Sequence, residues 1–581
     1  MESTIPQQAG VTSHRTRRRL FALAAVAPIF LLLFFFIPYP IGILLLGSLS
    51  TVEPTRLGQA FSHLTFGNYI EMYGTASLYK ATYNSLVGCA GGAVLAMLIG
   101  LFFAWVVART DIRRKGLIEI IAIMPLFVSP LIASMAWATL ASDRAGILNL
   151  IFKDLGLDFR LNIYSFTGIW FVLGVYYAPY TYMFLTPALR RMDPVLEEAS
   201  AISGANAWET VRRVTFPLII HPILSAALLV FVITLGLFAV PATIAVPANI
   251  HFLTTYLFNL VTGNPPAYEK AASVSVLLIA LTLVGVFLQR QVIGRRSFIT
   301  VTGKASQPRM FRLRRWKPAV VALIAIYLVV TVVLPYFALL LLSLRSFMFF
   351  PSFWSVFDFN VLTLQHFRFL WTHEQAFASI WNSLQMGALA AIVGSILCFL
   401  TAYCVHRTDL PGRKSLDYLS MIPIAVPGLV IGVAYLWAWI SFPVPIYGTI
   451  WILALAYVAR FIPDGVRAAG VNLLQIHKEL EESSRIHGGG FWQTLRRVII
   501  PLARPGILSS VILLFILAVR ELGSSIFLYT TDSIVLSVQI YNQWESAEYG
   551  ATAVLSLIQT VILVVVVIAA RRYVMRSEAA A

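Results

Sequence analysis

Four ionisable residues fall inside otherwise uncharged stretches of this chain: Arg460 and Asp464, four apart, and the adjacent Arg520 and Glu521. Charges in apolar surroundings are costly, which leaves two roles open to them. They line a path or gate for a charged solute, or they are structural. Arg460 and Asp464 share a helical face as an i,i+4 pair, and Arg520–Glu521 lie near the end of an apolar run. The positions 284 residues earlier hold Tyr176, Tyr180, Gly236 and Leu237. A second polar feature is LEEASAISGANAWETVRRVTFP at 196–217, which returns 284 residues on as LEESSRIHGGGFWQTLRRVIIP at 480–501, with 12 of 22 positions identical. Enzymatic chemistry finds no footing: there are no paired catalytic carboxylates, no His cluster and no nucleophile turn with a partner. No His/Cys/carboxylate group has metal-ligand spacing. Gly303-Lys304 lacks the earlier glycine of a phosphate loop, Phe298 standing in its place.

These residues need elements to hold them, and composition says which. The chain has 581 residues, 59% hydrophobic and 12% charged, about half the charge of a soluble domain. Uncharged runs long enough to cross a bilayer recur along it, and helices satisfy their own backbone groups there. The class is an all-α polytopic membrane protein. The first run, 30 uncharged residues from 20 to 49, exceeds a signal-peptide core and has no small-x-small cleavage site, so it reads as a retained span. Cys89, Cys398 and Cys404 all fall within spans and give no disulfide framework.

Twelve spans are expected, at 20–47, 85–108, 119–141, 165–187, 218–246 and 271–290, then at 319–344, 383–405, 417–440, 446–467, 503–530 and 551–570. Ser441, Pro443, Pro445 and Gly448 split the long apolar stretch 418–459. Pro125, Pro130, Pro423 and Pro427 are breakers inside the third and ninth spans. Connections alternate in charge: 48–84 holds only Arg56 and Lys80, whereas the alternate set carries Arg113–Arg114–Lys115, Arg190–Arg191, Arg212–Arg213, Arg295–Arg296 and Arg496–Arg497. The positive-inside rule then puts both termini and both copies of the polar segment in the cytoplasm. The formal charge of +17 reflects this topology and not nucleic-acid binding.

The repeat extends beyond the polar segment. VARTD at 107–111 matches VHRTD at 405–409, AsnSer at 84–85 matches AsnSer at 382–383, and Pro125 matches Pro423, each 298 residues apart. The change of offset from 298 to 284 gives the first half about 14 extra residues, placed in 142–164. The chain is therefore a parallel duplication: a basic tail 1–19, a first half 20–295, a basic linker 296–318 and a second half 319–581. Repeats of this kind form a pseudo-twofold pair around a midplane cavity.

Local signals build the polar segment as helix–turn–helix. Asp193 suits an N-cap and Pro194 the first helical position, with acids Glu197 and Glu198 following. Gly204 ends that helix in a left-handed conformation. Asn206 and Glu209 make a capping box, and Pro217 marks the return to the membrane. The second copy has Gly488–Gly490, Gln493 and Pro501 at these places.

Glu198-Ala199-Ser200-x3-Gly204-x9-Val214-x-Phe216-Pro217 resembles the EAA motif of inner-membrane permeases in binding-protein-dependent ABC importers of type I. Glu482-Ser483-Ser484-x3-Gly488-x9-Val498-x-Ile500-Pro501 resembles it at the same spacing. Ser200, Ser483 and Ser484 depart from the motif's alanines and keep that face small. The resemblance covers about 80–290 and 378–570, and implies two tandem six-helix type I permease repeats in the bacterial inner membrane. It implies coupling helices for a cytoplasmic ABC ATPase, two copies of which carry the ATP and Mg that this chain does not bind. Glu197, Glu198, Ala199, Gly204 and Pro217, with Glu481, Glu482, Ser483, Gly488 and Pro501, are the expected coupling residues. Glu198 and Glu482 are expected to face the ATPase.

The resemblance further implies an external solute-binding protein that delivers substrate, and alternating access by rocking of the halves. Membrane lipid is the remaining partner. Arg460, Asp464, Arg520, Glu521, Tyr176 and Tyr180 are the candidates for the translocation path. The fused form is most similar to ferric-iron permeases, with thiamine, polyamine, phosphonate and sulfate systems as alternatives. An ion-coupled secondary transporter or a channel scaffold leaves the duplicated polar turn unexplained.

Overall fold

The computed structural model describes residues 27–294, 310–408, 411–440 and 442–579. The basic tail 1–19, Arg295–Arg296, the linker as far as 309 and Ser441 lie outside the described residues. The described residues are helical apart from turns and isolated bridges. Among the described residues eight helices are long and apolar enough to cross a membrane, and two bent pairs, each taken as one span, raise the number to ten. The expected crossings at 165–187 and 446–467 are helices Phe166–Arg190 and Ile450–Gln475, of 25 and 26 residues. Both exceed the length a span needs. They are less apolar because the first carries Tyr176, Tyr177, Tyr180 and Tyr182, and the second Arg460, Asp464 and Arg467.

The breakers act as sharp bends. Lys115–Phe127 meets Pro130–Ala141 at 91°, and Arg413–Ala425 meets Gly428–Trp439 at 110°. A proline removes one intrahelical donor and crowds the carbonyl four residues back, so each run turns there. The fifth and eleventh spans end earlier than the apolar runs suggest, at Leu235 and Val519 instead of 246 and 530. The extra length of the first half contains helix Ile147–Asp154. The split near Pro443 also falls as expected, between Trp439 and Ile450, with Gly448 at φ +80°.

Packing divides the chain into two compact units that do not follow the halves read from the sequence. One comprises residues up to Thr65, Phe377–Val538 and those from Ile562 onward. In it the first apolar helix, counted above with 20–295, lies against Gly428–Trp439. The Tyr435 hydroxyl donates to Phe36 O at 2.8 Å, Phe35 meets Trp439 edge to face at 5.0 Å, and a β-carbon at Gly47 would stand 2.8 Å from the Trp437 ring. The other unit comprises Phe66–Ala376 and Gln539–Val561. There, helix Arg314–Leu344, counted above with 319–581, is held by the first half. Tyr176 donates to Thr331 O at 3.0 Å, Tyr327 donates to Val175 O at 3.2 Å, and Leu339 and Leu342 pack on Ile132 and Ala136. Small residues bring helices together within this unit: Thr181 Oγ1 donates to Ala96 O at 2.7 Å across Gly100, where a β-carbon would collide with that hydroxyl.

Candidate functional site: two anchored elbows

Each polar segment folds as the local signals require. Asp193 Oδ1 accepts from Val195 N–H at 3.0 Å and starts helix Pro194–Ile202. Gly204 follows at φ +85°, and Gly488 in the second copy at φ +82°. In both copies the turn closes the same way: Ala205 N–H donates to Ser200 O at 3.1 Å, and Gly489 N–H to Ser484 O at 2.8 Å. Asn206 and Glu209 form the full capping box, with both bonds at 2.9 Å. Gln493 supplies its half of the second box, accepting from Gly490 N–H at 3.3 Å. The serines that replace motif alanines add a tie across each turn: Ser200 to Thr210 at 3.0 Å and Ser484 to Thr494 at 2.8 Å.

Pro217 and Pro501 do not mark a break between elbow and membrane. The second arm of each elbow and the following span are one helix, Trp208–Leu235 and Phe491–Val519. Immediately before each proline lies a wide turn, Val211–Thr215 and Leu495–Ile499. In these turns Phe216 N–H reaches Val211 O and Ile500 N–H reaches Leu495 O, five residues back. The missing proline N–H and the ring's crowding of Arg213 and Arg497 carbonyls are relieved by one π-type turn, so the helix continues. The second arm of each elbow and its span are therefore one continuous rod.

The two acids of each copy part company. Glu198 and Glu482 are exposed, as are Ala199 and Ser483, whereas Glu197 and Glu481 turn inward. Glu197 is fully buried and ion-paired with Arg109, itself fully buried, and accepts from Thr215 Oγ1 at 2.8 Å. Glu481 stands 3.6 Å from Arg407 Nη1 and 3.9 Å from Arg485, and accepts from the Tyr403 hydroxyl at 3.4 Å. Arg407 also donates to Leu473 O at 2.7 Å and to Ile476 O. The first clamp is thus a dedicated pair, and the second shares its arginine with helix-end carbonyls. Arg109 and Arg407 are the arginines of VARTD and VHRTD. Sequence reading found that repeat but not its partner, although both features recur at fixed offsets.

The elbow tips are apolar, which the sequence reading did not single out. Ile202 is 88% exposed and Trp208 70%, and their equivalents 284 residues on, Ile486 and Trp492, are 82% and 75%. Isolated exposed apolar residues are ordinary, but the same two at the same place on both turns form a repeated contact surface. A β-carbon at either glycine would meet nothing within 4 Å, so only backbone conformation demands glycine there.

The path candidates separate by half. Arg460 sends its guanidinium to the second bend and donates to Val426 O at 2.6 Å and Pro423 O at 3.2 Å. No ion pair joins it to Asp464 among the described residues; Asp464 and Arg467 are exposed on the surface of their unit. Glu521 Oε1 accepts from Ser524 N–H at 3.0 Å, just before the short turn Ser525–Phe527. Gly428 brings these together: its β-carbon would lie 2.6 Å from Glu521 Oε1 and 3.6 Å from Arg460 Nε. Arg520, half-buried, terminates helix Ile500–Val519. In the first half Tyr176 is buried and tied to Thr331, and Tyr180, half-buried, stacks on Tyr177 at 5.7 Å. Tyr176 clamps two helices together. No group of three or more metal-ligating side chains is present among the described residues.

Two bent spans, two continuous elbow helices and a duplicated apolar tip make up one arrangement that occurs twice in the chain. The sequence profile described as "Binding-protein-dependent transport system inner membrane component" matches residues 92–297 and again 407–577. The chain belongs to that family, and is a permease component of an ABC importer in the inner membrane. It is 28% identical over 556 residues to the ferric transport system permease protein FbpB of Actinobacillus pleuropneumoniae, covering 94% of this chain and 77% of that one. It is 29% identical to a putative ferric transport system permease protein FbpB 1 of Haemophilus influenzae, covering 89% and 79%. A probable ABC transporter permease protein, y4fN of Sinorhizobium fredii, is 25% identical over 89% of this chain and 91% of its own length. A solved bacterial transporter that imports alginate overlays 45% of this chain and 97% of its own at TM-score 0.38 and 18% identity, too slight a likeness to draw on.

Proposed function

We propose that this subunit admits ferric iron to the cytoplasm, that an external solute-binding protein hands the iron over, and that two copies of a cytoplasmic ABC ATPase seat on the two elbows. ATP and Mg belong to the ATPase. The observation that carries this reading is the twinned tip: Ile202 with Trp208, and Ile486 with Trp492, each on a turn fastened to its own helices by a buried acid–arginine contact. Such tips bury apolar area in clefts on a partner, while exposed Glu198 and Glu482 meet basic or amide groups at the rim. Closure of the ATPase pair on ATP draws the elbows together, and the unbroken helices Trp208–Leu235 and Phe491–Val519 carry that movement into the membrane. Arg460, Asp464, Arg520 and Glu521 then serve the passage of a charged solute. The iron assignment draws on the two FbpB relatives, each matched over most of this chain. Both termini are cytoplasmic on this reading.

The test pairs co-purification with uptake. Ile202→Asp combined with Trp208→Ala is expected to release the ATPase and abolish uptake of labelled ferric iron while the chain still inserts. Full uptake with the ATPase still bound overturns the coupling reading. Unchanged ferric uptake when the whole chain is deleted overturns the iron assignment alone and turns attention to thiamine, polyamine or phosphonate.

A further inference from the structure

Beside the first elbow lies an apolar groove of about 370 Å³. One wall is the face of helix Ala76–Arg109 bearing Leu98, Phe102 and Trp105, spaced four and three apart. The second wall is the elbow rod, through Val211 and Phe216, and the third is the segment after the linker, through Leu313 and Val320. That third wall is fixed in place: Phe311 N–H donates to Arg109 O at 2.7 Å, Asp111 N–H to Phe311 O at 3.1 Å, and Leu313 N–H to Asp111 Oδ1 at 2.9 Å. The Phe311 ring lies 5.4 Å from Trp105.

Basic residues stand beside the groove's lining along the chain. Arg212 and Arg213 follow Val211 directly and are exposed; Arg314 and Arg315 follow Leu313 and are exposed. Lys317 stands one turn before Val320 on the same face of its helix. The acids nearby are engaged, Glu209 in its capping box and Asp111 with Leu313 N–H. An apolar slot at the end of membrane-crossing helices, with Lys317 on the face of Val320 and exposed arginines next along the chain, fits a molecule with a hydrocarbon tail and an anionic head. In the other half Phe491 stands 6.1 Å from Tyr403, at the positions that Ala207 and Trp105 occupy in the first.

We infer that this groove binds an anionic phospholipid of the inner leaflet, with an acyl chain between Phe102 and Phe216 and its headgroup among Arg213, Arg314 and Lys317. Because Val211 and Phe216 flank the π-type turn, the lipid braces the first elbow from behind. The leaflet assignment rests on the cytoplasmic placement of the elbows proposed above.

The full chain, purified with its ATPase in mild detergent, is titrated with phosphatidylglycerol or phosphatidylcholine and read by native mass spectrometry and thermal shift. Wild type is expected to hold phosphatidylglycerol in preference. Arg314→Gln with Lys317→Gln is expected to weaken that retention on the order of 30-fold, from about 1 kcal/mol per basic residue near an anionic head. Val320→Trp, which fills the groove, is expected to lose both lipids while its lipid-free melting is unchanged. Equal retention of the two lipids by wild type, or undiminished phosphatidylglycerol on Val320→Trp, overturns the site. Labelling of Ser203→Cys from each side of the membrane tests the placement of the elbow on its own, so failure there is distinguishable from failure of the lipid site.

Discussion

Arg109→Met isolates what the first clamp does. In the intact chain Arg109 and Glu197 are both fully buried and face each other, with Thr215 Oγ1 donating to the same carboxylate oxygen at 2.8 Å. Removing the arginine leaves a buried carboxylate with one hydroxyl for company. Breaking a buried pair from one side costs about 3–5 kcal/mol, because the survivor keeps its desolvation penalty. That loss is local, since the contact joins the elbow to the end of helix Ala76–Arg109. It is therefore expected as opening of residues 194–210, with hydrogen exchange there faster by on the order of 10² to 10⁴ and exchange elsewhere unchanged. Arg109→Met with Glu197→Leu removes both charges and is expected to recover most of the protection. The second clamp behaves differently, because Arg407 keeps the Leu473 and Ile476 carbonyls whatever Glu481 does; Glu481→Gln is expected to cost about 1–2 kcal/mol. If Arg109→Met exchanges within threefold of wild type, or if the double variant exchanges as fast as the single one, the clamp does not hold the elbow and the reasoning fails.

Three further outcomes are expected. Gly204→Val and Gly488→Val force a β-branched residue to φ near +85° and +82°, at a cost of about 2 kcal/mol or more; uptake is lost while membrane insertion, read by protease protection, is kept. Pro217→Ala restores the missing donor, so the π-type turn reverts to an ordinary one and the tip rotates by about 100° relative to the span. Stability is then unchanged or higher and uptake falls, and normal uptake in this variant refutes the rod. Arg460→Met strips the second bend of donors to Pro423 O and Val426 O and is expected to lower the melting temperature by several degrees, with Arg460→Lys partly restoring it.

Much of this protein is legible in its sequence, because the signals concerned act over short distances. Helix existence follows from apolar run length. The elbow follows from Asp193, Gly204 and the Asn206–Glu209 box, all of which act within four residues of chain. The duplication follows from two copies of one text. The bends at Pro125 and Pro423 follow from the chemistry of a single ring. Fold class and the position of the two elbows were thus fixed by local physics repeated twice.

Tertiary structure decided what depends on residues far apart meeting. VARTD and the elbow acid are both visible in the sequence, yet that Arg109 seeks Glu197 across 88 residues is a fact of packing. Which of two adjacent acids turns inward is set by the rotation of a nine-residue helix, and no neighbouring residue announces it. The continuity of the rod through Pro217 ran against the local rule that proline ends a helix, because a wider turn relieved the clash. The first apolar helix meets Gly428–Trp439 with the Trp437 ring so close to Gly47 that a β-carbon there would stand 2.8 Å from it, and side-chain fit of that kind is written nowhere along the chain.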